Sequence, residues 1–279
     1  MNYSISLLIS TYNWEQALIL CLRSISRQTV MPNEILIADD GSGKDTAVLI
    51  EKFRREINVP IIHVWQEDKG FRKTLILNKA IALAHGDYII EIDGDVIANR
   101  HFIQDHIEMM RPGYYICGSR AKLPLTLTHQ LLKEKRIDVS LSEVKTNFIY
   151  NSIRSKILRH LLAKFYGTDI MHMRSCNFAF WKKDIIAVNG YNEDIQGWGL
   201  EDTELAYRLH YSGVKKKFLK MGGIIYHLEH KKAPRGNVNK NFSIRIKTIA
   251  ECHDRCSNGI DKYLRKSYKD TFYHHSKGA

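Results

Sequence analysis

Proline and cysteine are scarce in this chain: five of each in 279 residues. With so few prolines and 44% hydrophobic residues the sequence is not a disordered one, and it can build one large domain or two small ones. Long apolar runs are missing. None approaches the roughly 20 residues that a membrane-spanning helix needs. The opening MNYSISLLISTYNW has no basic start, no long apolar stretch and no small-residue cleavage site, which argues against an export leader and for a cytoplasmic protein. The cysteines are odd in number and scattered, so they do not form a disulfide framework; Cys252 and Cys256, four apart, read as one helix face. Acidic residues are in deficit, 30 against 42 Lys and Arg, a net charge of +12 with a pI near 9.4. That imbalance favours an anionic partner, whether nucleotide phosphates, nucleic acid or an acidic membrane surface. The acids gather in short clusters, whereas the basic excess lies mainly after about Gly118.

The first stretch, 1–118, alternates strands with helices. SISLLIST, NEILIADDGS, VPIIHVW and DYIIEID read as strands. Between them WEQALILCLRSISRQ, about Asp45 to Glu56, and GFRKTLILNKAIALAHG read as helices, the last closed by Gly86 as a left-handed cap. This alternation predicts a mostly parallel sheet covered on both faces, with ligands beyond the carboxyl ends of its strands. Residues 119–174 are basic and rich in Leu and Lys, and predict a helical insertion without strands after about Ser119. Residues 175–238 resume with a strand and short helix in SCNFAFWKKDIIAVNGY, a helix from about Glu201 to Ser212 stopped by Gly213, and a strand in GGIIYHLEH that ends in histidines. Residues 239–279 predict a basic helical extension with a polar tail, YHHSKGA.

Three strand ends carry polar clusters: Ser10, Thr11 and Tyr12 in STYN, Asp39 in DDGS, and Asp93 with Asp95 in DGD. In a parallel sheet all three fall on one edge. An Asp-x-Asp pair suits a hard divalent cation bearing a diphosphate, since carboxylate and phosphate oxygens complete its shell. A polar turn around Gly94 is the plain alternative. Asp39 could accept from the imide N–H of a uracil ring, and Tyr12 offers an aromatic face, unless it packs into the core.

In this order LLISTYN, ILIADDGS, GFRKTLILNKAI and GDYIIEIDGD resemble the nucleotide-sugar half of glycosyltransferase family 2, over about residues 4 to 118. The resemblance implies a GT-A fold, a UDP-sugar or similar donor, Mn²⁺ or Mg²⁺, and inversion at the anomeric carbon. It also implies that Asp39 and Tyr12 meet the base, Asp93 the ribose or phosphate, and Asp95 the metal, with Arg72 near the nucleotide. GYNEDIQGWGLEDTELAYRL is similar to the galactosyltransferase-type segment shared by β-1,4-galactosyltransferases and bacterial chondroitin-type polymerases, over about residues 175 to 231. By that likeness Asp202 is the general base, Glu201 holds the acceptor, and a histidine joins the metal, His227 first and His230 as fallback. Trp198 reads as a sugar-stacking surface, and Asn177 as the polar residue of the acceptor side.

The expected activity is metal-dependent transfer of a hexose or N-acetylhexosamine to a hydroxyl of a glycan or lipid-linked oligosaccharide, in bacterial surface polysaccharide synthesis. The basic excess would suit peripheral docking on the inner face of the cytoplasmic membrane. A nucleotidyltransferase would carry a glycine-rich basic loop near its start, which STYNWEQA lacks. A nucleic-acid-binding module would leave the acidic clusters without a purpose. A non-catalytic carbohydrate- or nucleotide-binding relative would not need every carboxylate that is present.

Overall fold

A computed structural model describes residues 3–165, 170, 173–231 and 234–265. The first stretch forms strands β1 (Ile5–Thr11), β2 (Glu34–Asp39), β3 (Ile61–Trp65) and β4 (Tyr88–Asp93), separated by helices α1 (Glu15–Ile25), α2 (Lys44–Glu56) and α3 (Lys73–Leu83). It continues through β5 (Val96–Ala98), α4 (Phe102–Met109) and β6 (Tyr114–Gly118). Then come β7 (Ala121–Lys122), α5 (Leu125–Glu134), α6 (Lys156–Phe165), β8 (Asn177–Trp181) and α7 (Lys182–Ala187). The remainder supplies α8 (Glu201–Tyr211), β9 (Lys215–Leu219), β10 (Ile225–His227), α9 (Val238–Ala250) and α10 (Asp261–Leu264).

Strand residues alternate faces, and in this sheet both faces are apolar. Leu7, Ile9, Ile35 and Ile37 point into one core with α1, α2 and α4, while Leu8, Leu36 and Ile89 point into a second with α3 and α8. Each such side chain, fully buried, stabilises the fold by roughly 1.5–3 kcal/mol before entropy is counted. The main sheet runs β3-β2-β1-β4-β8-β6-β9, parallel from β3 to β4 and antiparallel on both sides of β8. Stretches 1–118 and 175–238 therefore build one sheet together. A small second sheet, β5-β10-β7, sits beside it.

Several sequence expectations change here. The helix after GFRK ends at Leu83, where Ala84 leaves the helical region with ψ 139°. Gly86 is not among the positive-φ residues; it is needed sterically, because a Cβ there would lie 2.6 Å from the Ser6 nitrogen. The insertion is helical, but it opens with the short strand β7, which pairs with β10. All five cysteines are free, and Cys252 and Cys256 lie in irregular chain beyond α9 rather than on a helix. The tail YHHSKGA lies outside the described residues. Among the described residues no helix is long and apolar enough to cross a membrane.

Candidate active site

Parallel pairing in register brings the polar strand ends together. Ser10 stands opposite Asp93 and Thr11 opposite Asp39. Asn13, at φ 43°, ties this edge to the DDGS turn: its N–H donates to Ser42 Oγ at 2.9 Å and its Oδ1 accepts from the Gly43 N–H at 3.0 Å. Gly41 is required in that turn, since with φ 102° a Cβ would lie 2.6 Å from Asp68 Cα. The Tyr12 hydroxyl donates to Asp68 Oδ2 at 2.9 Å while its ring stays half exposed over a cleft of about 1230 Å³.

The two aspartates of DGD have different surroundings. Asp93 Oδ1 accepts from Ser10 Oγ at 2.9 Å and from Lys73 Nζ at 2.5 Å. Burial alone would raise its pKa, but the Lys73 ammonium outweighs burial and holds the carboxyl down at about 2. The same charges act in reverse on Lys73: burial opposes its charge, and Asp93, Glu91 and Glu201 more than restore it. Among the described residues no lysine or arginine reaches Asp95. Its Oδ1 is buried without a hydrogen-bond partner, 3.6 Å from His227 Nε2, and its Oδ2 lies 3.2 Å from His230 Nε2. The hydrogen bond to Asp95 pushes His230 up to about 9.

One ligand atom from each of Asp95, His227 and His230 falls within 4.8 Å of the other two. Each imidazole donates its Nδ1–H to a backbone carbonyl, His227 to Leu228 and His230 to Lys231, both at 2.8 Å. This leaves both Nε2 atoms turned to Asp95, the outer-shell pattern that orients metal-binding histidines. One carboxylate oxygen and two imidazole nitrogens suit a divalent metal ion, with phosphate oxygens to complete the shell. The orphaned Asp95 oxygen is the observation that makes a cation fit here. Antiparallel pairing of β10 with β5, His227 opposite Val96, supplies the convergence.

Across the cleft, GWGL forms a left-handed turn, with Gly197 at φ 73°, Gly199 at 106° and Leu200 at 76°. Leu200 is strained there, as a side chain at positive φ is. The turn delivers Glu201 and Asp202 into the first turn of α8, where the helix dipole favours acids. Burial pushes Glu201 up to about 7, with Asp202 beside it adding to the shift, and its Oε2 accepts from the Gly199 N–H at 3.0 Å. Asp202 is raised too, chiefly by burial, while hydrogen bonds from the Thr203 and Ser175 backbones pull the other way. A half-exposed Trp198 covers the same wall, with the Arg235 guanidinium 4.8 Å from its ring centre.

Of the sequence candidates, Ser10, Thr11, Tyr12, Asp93, Asp95, Trp198, Glu201, Asp202, His227 and His230 all line the cleft. Three do not. Asp39 is fully buried, bonded to His63 Nε2 at 2.9 Å and the Ser42 N–H at 2.8 Å, whereas Asp40, which accepts from Gln66 Nε2 at 2.6 Å and the Arg72 N–H at 2.7 Å, lines the cleft. Arg72 folds its guanidinium back onto the Glu67 carbonyl, and its neighbour Lys73 reaches the site. Asn177 is fully buried and accepts from His106 Nε2 at 2.9 Å while donating to the Ser119 and Gly223 carbonyls, so it cannot serve an acceptor. Sequence reasoning missed Lys73, Asp40 and a set of cations on the walls. The basic excess was the only signal for the last.

A family model described as glycosyl transferase family 2 matches residues 6–188, and one described as N-terminal domain of galactosyltransferase matches residues 159–231. Chondroitin synthase of Escherichia coli is 26% identical over 265 residues, 88% of this chain and 37% of that protein. Validoxylamine A glucosyltransferase of Streptomyces hygroscopicus subsp. limoneus is 27% identical over 75% of this chain and 48% of its own. This chain thus spans less than half the length of these curated relatives. Among solved structures, mannosyltransferase PcManGT from Pyrobaculum calidifontis in complex with GDP-Man and Mn²⁺ has a TM-score of 0.63 at 15% identity, covering 100% of this chain and 76% of that one. S. aureus TarS 1–349 in complex with UDP has a TM-score of 0.60 at 15% identity, covering 98% and 73%. At that identity the likeness speaks for the fold, a mixed α/β GT-A arrangement. A family match over well more than half of the residues settles the rest: the chain belongs to glycosyltransferase family 2.

Proposed function

We propose that the protein is a metal-dependent, inverting transferase that moves a hexose or N-acetylhexosamine from a UDP-sugar to a hydroxyl of a glycan or lipid-linked oligosaccharide, in bacterial surface polysaccharide synthesis. One observation carries it: an Asp95, His227 and His230 cluster and the acids Glu201 and Asp202, which have no ion-pair partner among the described residues, share one cleft, although Asp95 is over 100 residues from the rest. The names of the relatives, chondroitin synthase and validoxylamine A glucosyltransferase among them, favour sugar transfer to a glycan or small-molecule hydroxyl.

In this reading Ser10, Thr11 and Tyr12 hold the nucleoside, the Tyr12 ring under the base, and Asp40 rather than Asp39 is the carboxylate nearest to it. Asp93, fixed by Lys73, bonds ribose or phosphate. Asp95, His227 and His230 would hold Mn²⁺ or Mg²⁺, which when bound neutralises the charge of the departing diphosphate. Asp202 removes the proton of the acceptor hydroxyl as its oxygen bonds the anomeric carbon. The bond from that carbon to the diphosphate oxygen breaks, and the nucleoside diphosphate leaves with the electron pair. A carboxylate whose pKa is raised by burial is the better base for such a step. Glu201 and Trp198 orient the acceptor ring.

The test is hydrolysis of a panel of nucleotide sugars with and without Mn²⁺. Slow Mn²⁺-dependent release of UDP from one donor is expected; no turnover of any donor, or full turnover in excess chelator, would sink the proposal. Peripheral membrane contact on the cytoplasmic side belongs to the same reading. On α6, Ile157, Leu161 and Phe165 lie one turn apart and exposed, next to Lys156, a face suited to a headgroup boundary. Equal binding to neutral and anionic vesicles at physiological salt would remove that part.

A further inference from the structure

Several arginines elsewhere in this molecule are paired with buried acids. Arg154 and Arg159 meet Asp105, and Arg208 meets Glu204 inside the core. In the cleft the pattern breaks. Lys73 is committed to Asp93, but Arg120, Lys122, Arg174, Lys231 and Arg235 also line it, and among the described residues none of these five has a carboxylate within ion-pair distance. Asp40, Asp95, Glu201, Asp202 and Glu229 line the same cleft, so the separation is not for want of acids. Opposite charges in one cavity are being held apart by the fold.

Position sorts the cations. Lys122 stands opposite His227 in the β7 and β10 register, on the diphosphate side of the proposed reaction. Lys231 and Arg235 follow His230 in sequence. Arg120 and Arg174 lie instead by the segment 175–176. Arg174 immediately precedes Ser175, whose backbone bonds the Asp202 carboxylate, and Arg120 Nη1 touches Cys176 Sγ at 3.5 Å. Arg120 also has its Nε buried without a partner, and its backbone carbonyl is fixed by the Asn151 amide at 2.8 Å. Both arginines thus adjoin the 175–176 segment that meets the base, and Arg120 has a donor to spare. A guanidinium fork matches carboxylate and phosphate oxygens two at a time.

We infer that Arg120 and Arg174 form an acceptor subsite for an anionic group, so that the preferred acceptor carries a sugar carboxylate or a phosphate near the hydroxyl that Asp202 deprotonates. This rests on the proposed transferase reaction for the placement of the acceptor. The donor needs neither arginine: its diphosphate has the cation site and Lys122 on its own side.

The test is direct binding to the full chain in the presence of UDP and Mn²⁺, by calorimetry, of three disaccharides matched in size: uncharged, uronic-acid-terminated and phosphate-terminated. At least one anionic ligand is expected to bind about 10-fold or more tighter than the uncharged one, and the tighter of the two identifies the source of the charge. The Arg120→Gln/Arg174→Gln double variant should lose that preference while its melting temperature, UDP affinity and slow donor hydrolysis stay at wild-type values. The Arg120→Lys/Arg174→Lys variant should keep part of the preference. Equal affinity for all three ligands, no binding of any, or loss of UDP affinity in the double variant overturns the inference. Because hydrolysis of the donor is read separately, its absence in the wild type would count against the transferase reading alone.

Discussion

The acids at the end of β4 and those at the start of α8 belong to the same residue types, yet the fold treats them in opposite ways. Asp93 is clamped by Lys73 and Ser10 and held ionised, with its pKa down at about 2. Among the described residues Glu201 and Asp202 have no cation in ion-pair contact; burial raises both, and Asp202 adds to the shift of Glu201. Asp95 stands between these extremes, one oxygen facing His230 and the other buried without a partner. The difference assigns work. In the proposed reading a paired carboxylate is a fixed acceptor of hydrogen bonds, an orphaned one beside two histidines would hold a cation, and a raised one would take a proton.

The sharpest way to break this contrast is Asp202→Asn. Transfer should fall about 1000-fold, the order that a general base contributes, while UDP affinity measured by calorimetry changes little. Near wild-type turnover would move the base elsewhere. Next, Asp95→Ala should weaken Mn²⁺ binding, followed by titration against the purified chain, by at least about 100-fold, more than loss of an outer-shell partner costs. Unchanged Mn²⁺ affinity would dissolve the cluster as a metal site. Lys73→Met leaves Asp93 without its counter-charge. Because both groups keep some contact with solvent, the expected loss is about 2 kcal/mol, below the range for fully buried pairs, read from urea unfolding. No loss would mean that the ammonium holds nothing in place.

The smallest effect concerns Glu91, fully buried on β4, where burial pushes it up to about 8 against the pull of Lys73 and the Tyr191 hydroxyl. The folded state keeps this proton at a pH where the unfolded chain has released it. Stability should therefore decline as pH rises from the ordinary glutamate value of 4.5 toward about 8. Asp93 and Lys73 add no slope in that window, since their shifts lie below and above it. Glu91→Gln should lessen the decline, to which Glu201, pushed up to about 7, and His230, pushed up to about 9, add in the same sense, so that the variant's melting temperature gains roughly 5 °C on the wild type between pH 5 and pH 9. Parallel curves for the two proteins would show that the carboxyl does not carry the proton.

The strand ends were readable because parallel pairing in an α/β chain leaves a glycine- and aspartate-rich edge only one place to be. Which side chain on that edge faces the ligand was not readable. Asp39 and Asp40 differ by one position, and it is His63, on the next strand, that draws the first away. Arg72 and Lys73 are likewise neighbours separated by about a third of a helical turn. Asn177 looked like a polar group at a strand start. Its partners, His106 and the Gly223 carbonyl, lie 71 and 46 residues away. The strand β9, KKKFL, escaped notice because an edge strand tolerates lysines that mask its alternation. His230 ranked behind His227 in the sequence, yet both reach Asp95, since a chain leaving β10 turns back over the same carboxylate.

The position of β8 has a bearing on how such a chain comes off the ribosome. Because β8 lies between β4 and β6, β6 has no hydrogen-bonded neighbour until residues 177–181 have been made. A nascent chain ending at Gly118 would display three unsatisfied strand borders, one on β4 and both of β6. A fragment of residues 1–118 is expected to aggregate where a fragment of residues 1–238 stays dispersed, as light scattering of the two would reveal. The segment between β7 and β8, by contrast, adds no strand to the main sheet among its described residues, yet Arg154 and Arg159 anchor it to Asp105 on α4, so it can fold only after that helix.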